Sequence, residues 1–233
     1  MKSPINIVIL TGAGISADSG IATFRGPDGL WEGHRVEDVA TPEAFARDPA
    51  LVHAFYNARR AALDQVRPNG AHIALARLDA EWKGDLLIIT QNVDDLHERA
   101  GAKRLLHMHG ALRQGWCLAC DDRFAWAGSM DAASSCPSCH AQGRVRPDIV
   151  WFGEMPYAME RIDAALSRAD LFVSIGTSGA VYPAAGFVQT ARCHGAATLE
   201  INLEPSQGSL FFNERRFGRA AELVPAWVDE LLG

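Results

Sequence analysis

Residues 5–20 read INIVILTGAGISADSG, an apolar run that passes directly into a glycine-rich loop. Nearly continuous Ile, Val and Leu without polar alternation is typical of a strand buried on both faces of a parallel sheet. The loop fits the G-x-G-x-x-G/A pattern through Gly12, Gly14 and Ala17, small residues that allow a tight turn, close approach of a pyrophosphate and packing of a following helix. The stretch predicts a site for a dinucleotide-like ligand; the alternative is a tight turn that serves packing alone.

Other apolar runs and helical patterns extend this prediction along the chain. Helices are predicted over Pro49–Val66, Ala71–Trp82 and Tyr157–Arg168, where apolar residues recur at helical spacing. The following short runs are predicted to be strands of one parallel sheet: Ile5–Leu10, Leu86–Thr90, Arg104–Met108, Asp148–Phe152, Leu171–Ile175 and Thr198–Leu203. Alternating strands and helices predict a doubly wound, Rossmann-like α/β fold.

Two stretches interrupt this alternation. Residues 32–67 are predicted to be helical without a strand, and residues 111–146 contain four cysteines and little regular pattern. We expect both to leave the sheet and to form a small domain, made of a helical insertion and a metal-binding module. Residues 1–31, 68–110 and 147–233 would then form the larger, Rossmann-like domain, with a cleft between the two domains.

The composition argues against several classes of protein. The 233 residues are 48% hydrophobic, which is typical of a globular chain, and carry a net charge of −6. This acidic balance argues against nucleic-acid binding, which needs a basic surface. The chain lacks a run of about 18 apolar residues and the pattern of a signal peptide. We therefore expect a cytoplasmic monomer that contacts neither membranes nor nucleic acid.

Paired cysteines form the strongest local motif. They follow the spacing C-x2-C-x15-C-x2-C, in which each pair makes one knuckle of a tetrahedral zinc site. Four thiolates leave no open position for a reacting water, so the zinc is predicted to be structural, one ion per chain. Its ligands are predicted to be Cys117, Cys120, Cys136 and Cys139. The neighbouring His140 is not needed as a ligand, and Cys193 is predicted to be a small buried residue.

Polar residues follow four of the predicted strands. In an open parallel sheet, ligands bind beyond the carboxyl ends of the strands, so these residues and the glycine loop predict a single site. The residues are Gln91, Asn92, Asp94, His109, Gly176, Thr177, Ser178, Asn202 and Glu204. The acidic residue that a dehydrogenase carries on its second strand, about 20 residues after the loop, is missing. We therefore expect the ligand to be held in a different manner.

His109 is the best-placed candidate for catalysis among the eight histidines. It follows a predicted strand and precedes Gly110. His107 is the second candidate, because side chains two residues apart lie on the same face of a strand. A histidine is more often a surface or core residue than a catalyst, so the residues alone leave this choice open.

Taken together, the motifs resemble those of the sirtuin family, the NAD-dependent protein lysine deacylases. The matching segments are GAGISADSGIATFRG, TQNVDD, HMHG, the paired C-x2-C motifs, IVWFGE, GTSGAVYP and INLE. They occur in the family's order and cover nearly the whole chain. The resemblance implies that NAD is consumed as a co-substrate. A lysine acyl group is transferred to ADP-ribose, and the products are free lysine, nicotinamide and O-acyl-ADP-ribose.

The resemblance also implies roles for individual residues. His109 matches the general base that acts on a ribose hydroxyl. The segment Val150–Glu154, with Val150, Phe152 and Gly153, matches the strand-like segment that pairs with the substrate backbone. The implied NAD contacts are Gly12, Ala13, Gly14 and Ser16 at the phosphates, Phe24 and Arg25 in a flexible loop, Gln91, Asn92 and Asp94 at the ribose and nicotinamide, and Gly176, Thr177, Ser178, Asn202, Leu203, Glu204 and Ala220 at the adenosine end.

A Tyr-x-x-Arg pair bears on the acyl group that is removed. Tyr56 and Arg59 are three residues apart and share a predicted helix face with Val52 and Leu63. An arginine on an otherwise apolar helix face either extends to solvent along the edge of the helix or binds an anion. The pair resembles that of sirtuins which remove malonyl and succinyl groups, where guanidinium and hydroxyl bind the acyl carboxylate. The resemblance implies a dual deacetylase and desuccinylase.

Other functions fit parts of the sequence. A plain NAD oxidoreductase would use the same glycine loop, and a mono-ADP-ribosyltransferase would use the same NAD site. A deacetylase without a preference for acidic acyl groups would need no role for the Tyr-x-x-Arg pair. A zinc-ribbon module for nucleic acid is disfavoured by the acidic balance and by the lack of a basic, aromatic-rich stripe around the cysteines.

Overall fold

A computed structural model describes residues 5–22 and 33–233. The apolar runs form a six-stranded parallel sheet. In spatial order its strands are β3 (Leu105–His107), β2 (Leu86–Thr90), β1 (Ile7–Thr11), β7 (Leu171–Ile175), β8 (Ala197–Asn202) and β9 (Glu214–Phe217). The strand order reverses between β1 and β7, which is the position where ligands bind in doubly wound sheets.

Helices cover both faces of this sheet. Ile7 and Ile9 of β1 pack on one side, and Val8 and Leu10 pack on the other. The helices of the first side are α4 (Gly70–Glu81) and α8 (Ala220–Leu232), and those of the second are α6 (Met159–Leu166) and α7 (Phe187–Cys193). Burial on both faces explains why the strands lack polar alternation. The predicted doubly wound fold is confirmed.

The two stretches that interrupt the alternation pack together. A three-stranded antiparallel sheet is formed by β5 (Arg123–Ala125), β4 (Gly110–Cys117) and β6 (Val145–Ile149). Helices α1 (Val36–Val39), α2 (Pro42–Arg47) and α3 (Pro49–Ala62) lie beside it, and α5 (Leu96–Ala100) follows β2. Val52 and Tyr56 of α3 share one buried cluster with Leu112, Ile149 and Trp151. The division into two domains with the boundaries given above stays a prediction.

The predicted strand Asp148–Phe152 is wrong in position and in pairing. The strand there, β6, ends at Ile149 and pairs antiparallel with β4 outside the main sheet. All five residues of β6 are buried, and two of them, Arg146 and Asp148, carry charges that are paired within the protein. Buried charges interrupt the apolar run by which a buried strand is recognised. Residues 111–146 contain more regular structure than expected, because β4 and β5 also lie there.

Two further expectations differ from the structure, and one strand was not predicted. The glycine loop continues as two 3-10 turns, Ala13–Ile15 and Ala17–Ser19, and not as an α-helix. The edge strand β9 escaped detection because charged and exposed residues replace the apolar pattern, as is common at sheet edges. Cys193 is exposed at the end of α7, not buried. Within residues 5–22 and 33–233, no helix combines the length and apolar character needed to cross a membrane.

Candidate active site

A cavity of about 1090 Å³ lies at the carboxyl ends of the central parallel strands and extends to α3 and the second sheet. The predicted site residues that line it are Gly12, Ala13, Gly14, Tyr56, Arg59, Gln91, Asn92, Asp94, His109, Val150, Phe152, Gly153, Gly176, Thr177, Ser178, Asn202, Leu203, Glu204 and Ala220. Phe24 and Arg25 lie outside the described residues. The structure therefore brings residues from distant parts of the sequence to one cavity.

The glycine loop packs against the loop that follows β7. The N–H of Gly14 donates to the carbonyl of Gly176 over 2.8 Å. A Cβ on Gly14 would lie 2.7 Å from the Gly176 Cα, closer than real contacts allow, and Gly176 itself has a φ of +64°. These glycines are thus required by the packing of two loops. No α-helix starts in this loop, so the helix that the G-x-G-x-x-G/A pattern predicts after it does not supply an N-terminus at the cavity.

Ser16 is fully buried beside the cavity, and among the described residues that are predicted NAD contacts it alone does not line the cavity. Its Oγ donates to the Asp94 Oδ2 over 3.0 Å and accepts from the Asn92 Nδ2 over 3.1 Å. Burial raises the pKa of Asp94, against the opposing hydrogen bonds from the Leu96 N–H and Ser16. Ser16 therefore positions two polar side chains of the cavity wall.

Two buried histidines lie behind Ser16. The ring centroids of His72 and His97 are 5.0 Å apart, and the His72 Nε2 is 3.4 Å from the Ser16 Oγ. The His97 Nε2 is 3.1 Å from the hydroxyl of Thr11. Burial lowers the pKa of His72 to about 4 and that of His97 to about 3, so both rings are neutral at pH 7. Sequence reasoning did not single them out, because no local motif marks a histidine whose partners are distant in the chain.

His109 has the geometry of a general base. Its Nδ1 lies 3.1 Å from the carbonyl oxygen of Gln91. A carbonyl only accepts, so Nδ1 carries the proton of the neutral ring and Nε2 keeps its lone pair. Burial lowers the pKa of His109, and the bond to Gln91 offsets only part of that shift. The ring is therefore neutral and able to accept a proton at pH 7.

His107 has different surroundings. Its Nε2 lies 2.6 Å from a carboxylate oxygen of Glu98, and its Nδ1 lies 3.0 Å from the carbonyl of Asn92. Burial lowers the pKa of His107. The hydrogen bond and charge of Glu98 raise that pKa by more than burial lowers it, so the net shift is upward. Neither His107 nor Glu98 is among the residues that line the cavity. The structure thus separates the two candidates and favours His109.

Tyr56 and Arg59 meet the cavity from α3. Tyr56 is fully buried, and its hydroxyl oxygen accepts a hydrogen bond of 2.9 Å from the indole Nε1 of Trp151. Arg59 is half-buried, with its guanidinium 5.6 Å from the ring centroid of Phe55. By contrast, the neighbouring Arg60 donates to the carbonyl of Leu112 over 2.6 Å and does not line the cavity. Of these two adjacent arginines, Arg59 is the one that a ligand can meet.

The segment from Val150 to Glu154 lines the cavity as a turn, not as a strand. The N–H of Val150 donates to the His109 carbonyl over 2.9 Å, and that of Phe152 to the Ala40 carbonyl over 3.0 Å. The N–H of Trp151 donates to a carboxylate oxygen of Glu154 over 2.8 Å. These three donors are used inside the protein.

The four predicted zinc ligands lie together. Their Sγ atoms are all within 4.8 Å of one another, and they are Cys117, Cys120, Cys136 and Cys139. Two equivalent turns arrange them: the N–H of Asp121 donates to the Cys117 carbonyl over 2.9 Å, and that of His140 donates to the Cys136 carbonyl over 3.0 Å. Asp121 and His140 both have a positive φ, so His140 closes its turn. Four clustered thiolates fit a closed, structural zinc site.

The fold and the cavity define a Rossmann-like nucleotide-binding protein that carries a four-cysteine module. The Sir2 family profile matches residues 12–183. An NAD-dependent protein deacylase from Bdellovibrio bacteriovorus is 58% identical over 229 residues, which cover 97% of this chain and 97% of that protein. The chain belongs to the Sir2 family, as the sequence motifs indicated. The predicted enzyme class, NAD-dependent protein deacylase, is confirmed.

Solved structures are similar over almost the whole chain. A complex of a Sir2 homologue with NAD matches with a TM-score of 0.90 and 38% identity, covering 99% of this chain and 92% of that one. A Sir2 protein bound to an acetylated peptide matches with a TM-score of 0.82 and 28% identity, covering 98% of this chain and 94% of that one. Use of NAD is therefore a property of the family to which this chain belongs.

Proposed function

We propose that this protein removes acyl groups from lysine side chains of proteins, and that it accepts succinyl and malonyl groups as well as acetyl groups. One observation carries the proposal: a single cavity of about 1090 Å³ is lined by the glycine loop, by His109 and by the pair Tyr56 and Arg59. The reacting groups and the acyl-binding groups would thus meet without a rearrangement of the fold.

NAD fits the cavity in size and in the chemistry of its walls. Asn92 and Asp94 would hold the ribose and nicotinamide end, and Asn202 and Glu204 would hold the adenosine end. When bound, NAD supplies the ribose carbon that accepts the acyl oxygen, which is why it is consumed. The Nδ1 of His109 holds its proton against the Gln91 carbonyl, so the lone pair of the neutral ring is on Nε2. Nε2 would therefore take the proton from a ribose hydroxyl.

Arg59 and Tyr56 carry the preference for acidic acyl groups. An apolar channel binds a short neutral acyl chain without help from charge. A succinyl or malonyl group brings a carboxylate that has to be compensated when it leaves water. The guanidinium of Arg59 and the hydroxyl of Tyr56 offer charge-assisted hydrogen bonds for it. The half-buried position of Arg59 strengthens this interaction relative to one in open solvent.

Peptides that differ only in the lysine acyl group test the proposal. With NAD present, we expect acetyl, succinyl and malonyl peptides all to lose their acyl group, as measured by mass spectrometry. Removal of acetyl alone would favour a deacetylase without acidic preference. A mass increase of the peptide by one ADP-ribose unit would instead favour mono-ADP-ribosyl transfer at the same site.

A further inference from the structure

We propose that His107 is a positioning residue for NAD: its protonated ring holds the main chain of Asn92 in place, and NAD binds more weakly once that ring loses its proton. The proposal rests on the function proposed above, in which Asn92 and Asp94 hold the ribose and nicotinamide end of NAD. Asn92 and Asp94 line the cavity, whereas His107 does not. His107 therefore acts through Asn92 and takes no part in the chemistry.

The ring of His107 lies between two groups that only accept hydrogen bonds. Its Nδ1 is 3.0 Å from the carbonyl oxygen of Asn92, and its Nε2 is 2.6 Å from a carboxylate oxygen of Glu98. A neutral imidazole has one N–H, so it serves one of these acceptors and turns a lone pair toward the other. The imidazolium has two N–H groups and serves both. The arrangement therefore fits the charged form of His107.

The charged groups that face His107 favour the same form. Burial lowers the pKa of His107, but the hydrogen bond and charge of Glu98, the contact with Asn92 and the charge of Asp94 together raise it above its ordinary value. Burial raises the pKa of Glu98, but its contact with His107 lowers that pKa by more, so the proton of the pair lies on the histidine. His97, which like Glu98 lies on α5, adds no opposing charge at pH 7, because burial lowers its pKa to about 3.

Within the part of the chain that the structure describes, three hydrogen bonds hold Asn92. Its N–H donates to the Thr90 hydroxyl over 3.0 Å, and its side-chain Nδ2 donates to the Ser16 hydroxyl over 3.1 Å. Hydroxyl groups stay neutral over the pH range in which proteins are folded, so these two bonds do not change with pH. The third bond joins the Asn92 carbonyl to His107 and is the one that a proton controls.

Loss of that proton turns the third bond into a repulsive contact. The neutral ring keeps one N–H, and we expect it to stay on Nε2, because Glu98 is the closer partner and carries a charge. The lone pair of Nδ1 then faces the carbonyl oxygen of Asn92 at 3.0 Å. Two acceptors this close repel each other, so the main chain of Asn92 loses its support next to the cavity.

The direction of the pH dependence follows from the raised pKa. The ring is protonated below that pKa and loses its proton as pH rises through it, so the affinity for NAD should be highest at the lower pH. Coupling between two binding events is reciprocal. NAD should therefore raise the pKa of His107 by the same factor by which its own affinity falls. One net hydrogen bond corresponds to a factor of about two to ten.

An NMR titration of His107 tests this coupling without a measurement of activity. The zinc-loaded protein, labelled with 13C-histidine, is titrated with and without saturating NAD, and no acylated peptide is present. Loss of a signal in His107→Gln assigns the ring. We expect a midpoint above the ordinary 6.5 or so, and a further rise of about 0.3 to 1 pH unit with NAD. Calorimetry should show that NAD affinity falls about two- to tenfold between about pH 6 and pH 9. A midpoint that NAD leaves unchanged would overturn the proposal.

Two variants and a control separate His107 from other effects of pH. Glu98→Gln removes the charge that favours the imidazolium, so the NMR midpoint and the pH at which NAD affinity falls should both move down. His107→Gln should bind NAD more weakly near pH 6 and show a flatter pH profile. His194→Gln is the control, because His194 is exposed at the end of α7 and its Nδ1 faces the Thr190 carbonyl. It should leave the profile unchanged. An unaltered profile in His107→Gln would contradict the role of His107, and Glu98→Gln keeps the test open if His107→Gln folds poorly.

Asn92→Ala distinguishes this proposal from the function on which it rests. If Asn92→Ala leaves NAD affinity unchanged, the assignment of Asn92 to the NAD site is wrong, and so is the role of His107. If Asn92→Ala weakens NAD binding while NAD leaves the titration of His107 unmoved, the NAD site stands and only the role of His107 is wrong.

Discussion

The parallel sheet and the four-cysteine module are stabilised in different ways. The sheet is buried on both faces by two large apolar clusters. The module's own cluster of buried residues consists of Cys117, Met130, Cys136 and Val145, and two of these four are predicted metal ligands. Apolar burial can support the sheet, whereas a core this small depends on the metal that the thiolates bind.

Residues of both the parallel sheet and the second sheet's flanking segment line the cavity. Its glycine loop and strand ends belong to the sheet, whereas Trp151 and its neighbours follow β6 of the second sheet. Arg146 of β6 holds Trp151, which in turn bonds to Tyr56. The comparison teaches that the proposed NAD end of the site lies on the apolar core of the sheet, and that the proposed acyl end lies on a segment linked to the metal module.

Loss of the metal gives the largest expected effect. Cys136→Ser removes a buried thiolate from the cluster, so zinc content should fall from about one per chain and the melting temperature should fall with it. Elemental analysis and thermal unfolding measure both. Activity should be lost as folding is lost. Cys193→Ser is the control, because Cys193 is exposed and should keep both zinc and activity. A metal-free Cys136→Ser protein that is stable and fully active would contradict the contrast between the two regions.

Removal of the proposed base, His109, is expected to slow the reaction without affecting the fold. His109→Ala should keep zinc and the unfolding temperature while the deacylation rate falls by roughly 10²–10⁴, the usual cost of losing a general base. His107→Gln should cost much less, because His107 pairs with Glu98 outside the cavity wall. Steady-state rates with an acetyl peptide measure both variants. Near-normal turnover in a folded His109→Ala protein would place the base elsewhere.

Removal of the acyl-site charge should affect one substrate class. Arg59→Met should lower kcat/KM for succinyl peptides by about ten- to a hundredfold, the size expected for a charge-assisted hydrogen bond. Deacetylation should change much less, since an acetyl group has no charge. Arg47→Met is the control: Arg47 lies on the neighbouring helix α2 and pairs with Asp38 at the surface. Equal losses for both substrates in Arg59→Met would contradict the assignment of the acyl end.

The buried histidines of the sheet region predict a pH dependence of stability. Unfolded histidine binds a proton near pH 6.5, whereas the pKa is about 4 for His72 and about 3 for His97 in the fold. The unfolded state thus binds more protons below pH 6.5, and the free energy of unfolding should fall as pH decreases through that window. The slope reaches about 1.4 kcal/mol per pH unit for each histidine. His97→Gln should show a shallower slope in urea unfolding between pH 6.5 and 5; an unchanged slope would contradict neutral burial of His97.

Sequence reasoning found those features that depend on local pattern. The strands Leu86–Thr90 and Leu171–Ile175 have the predicted bounds, because continuous apolar runs mark strands buried on both faces. The cysteine pairs cluster as predicted, since short spacings fix the geometry of a zinc knuckle. The polar residues after the strands line one cavity because parallel strands bring their carboxyl ends to one edge.

The sequence did not predict features that depend on contacts between residues distant in the chain. Strand β6 was misplaced because the charges of Arg146 and Asp148 are compensated by residues that only the fold brings near. His72 and His97 are neutral because of burial, which no short motif encodes. The hydrogen bond from Trp151 to Tyr56 joins residues 95 positions apart. Such pairings become visible only when the packing of the chain is known.

The stoichiometry of the reaction with a succinyl-lysine peptide tests the central claim most directly. The unmodified protein, its peptide substrate and NAD would be followed together by mass spectrometry. We expect one nicotinamide to be released for each succinyl group lost, and the succinyl group to appear on ADP-ribose. Loss of the succinyl group without NAD consumption, or an ADP-ribose unit attached to the peptide, would contradict a cavity that combines an NAD site with an acyl-carboxylate site.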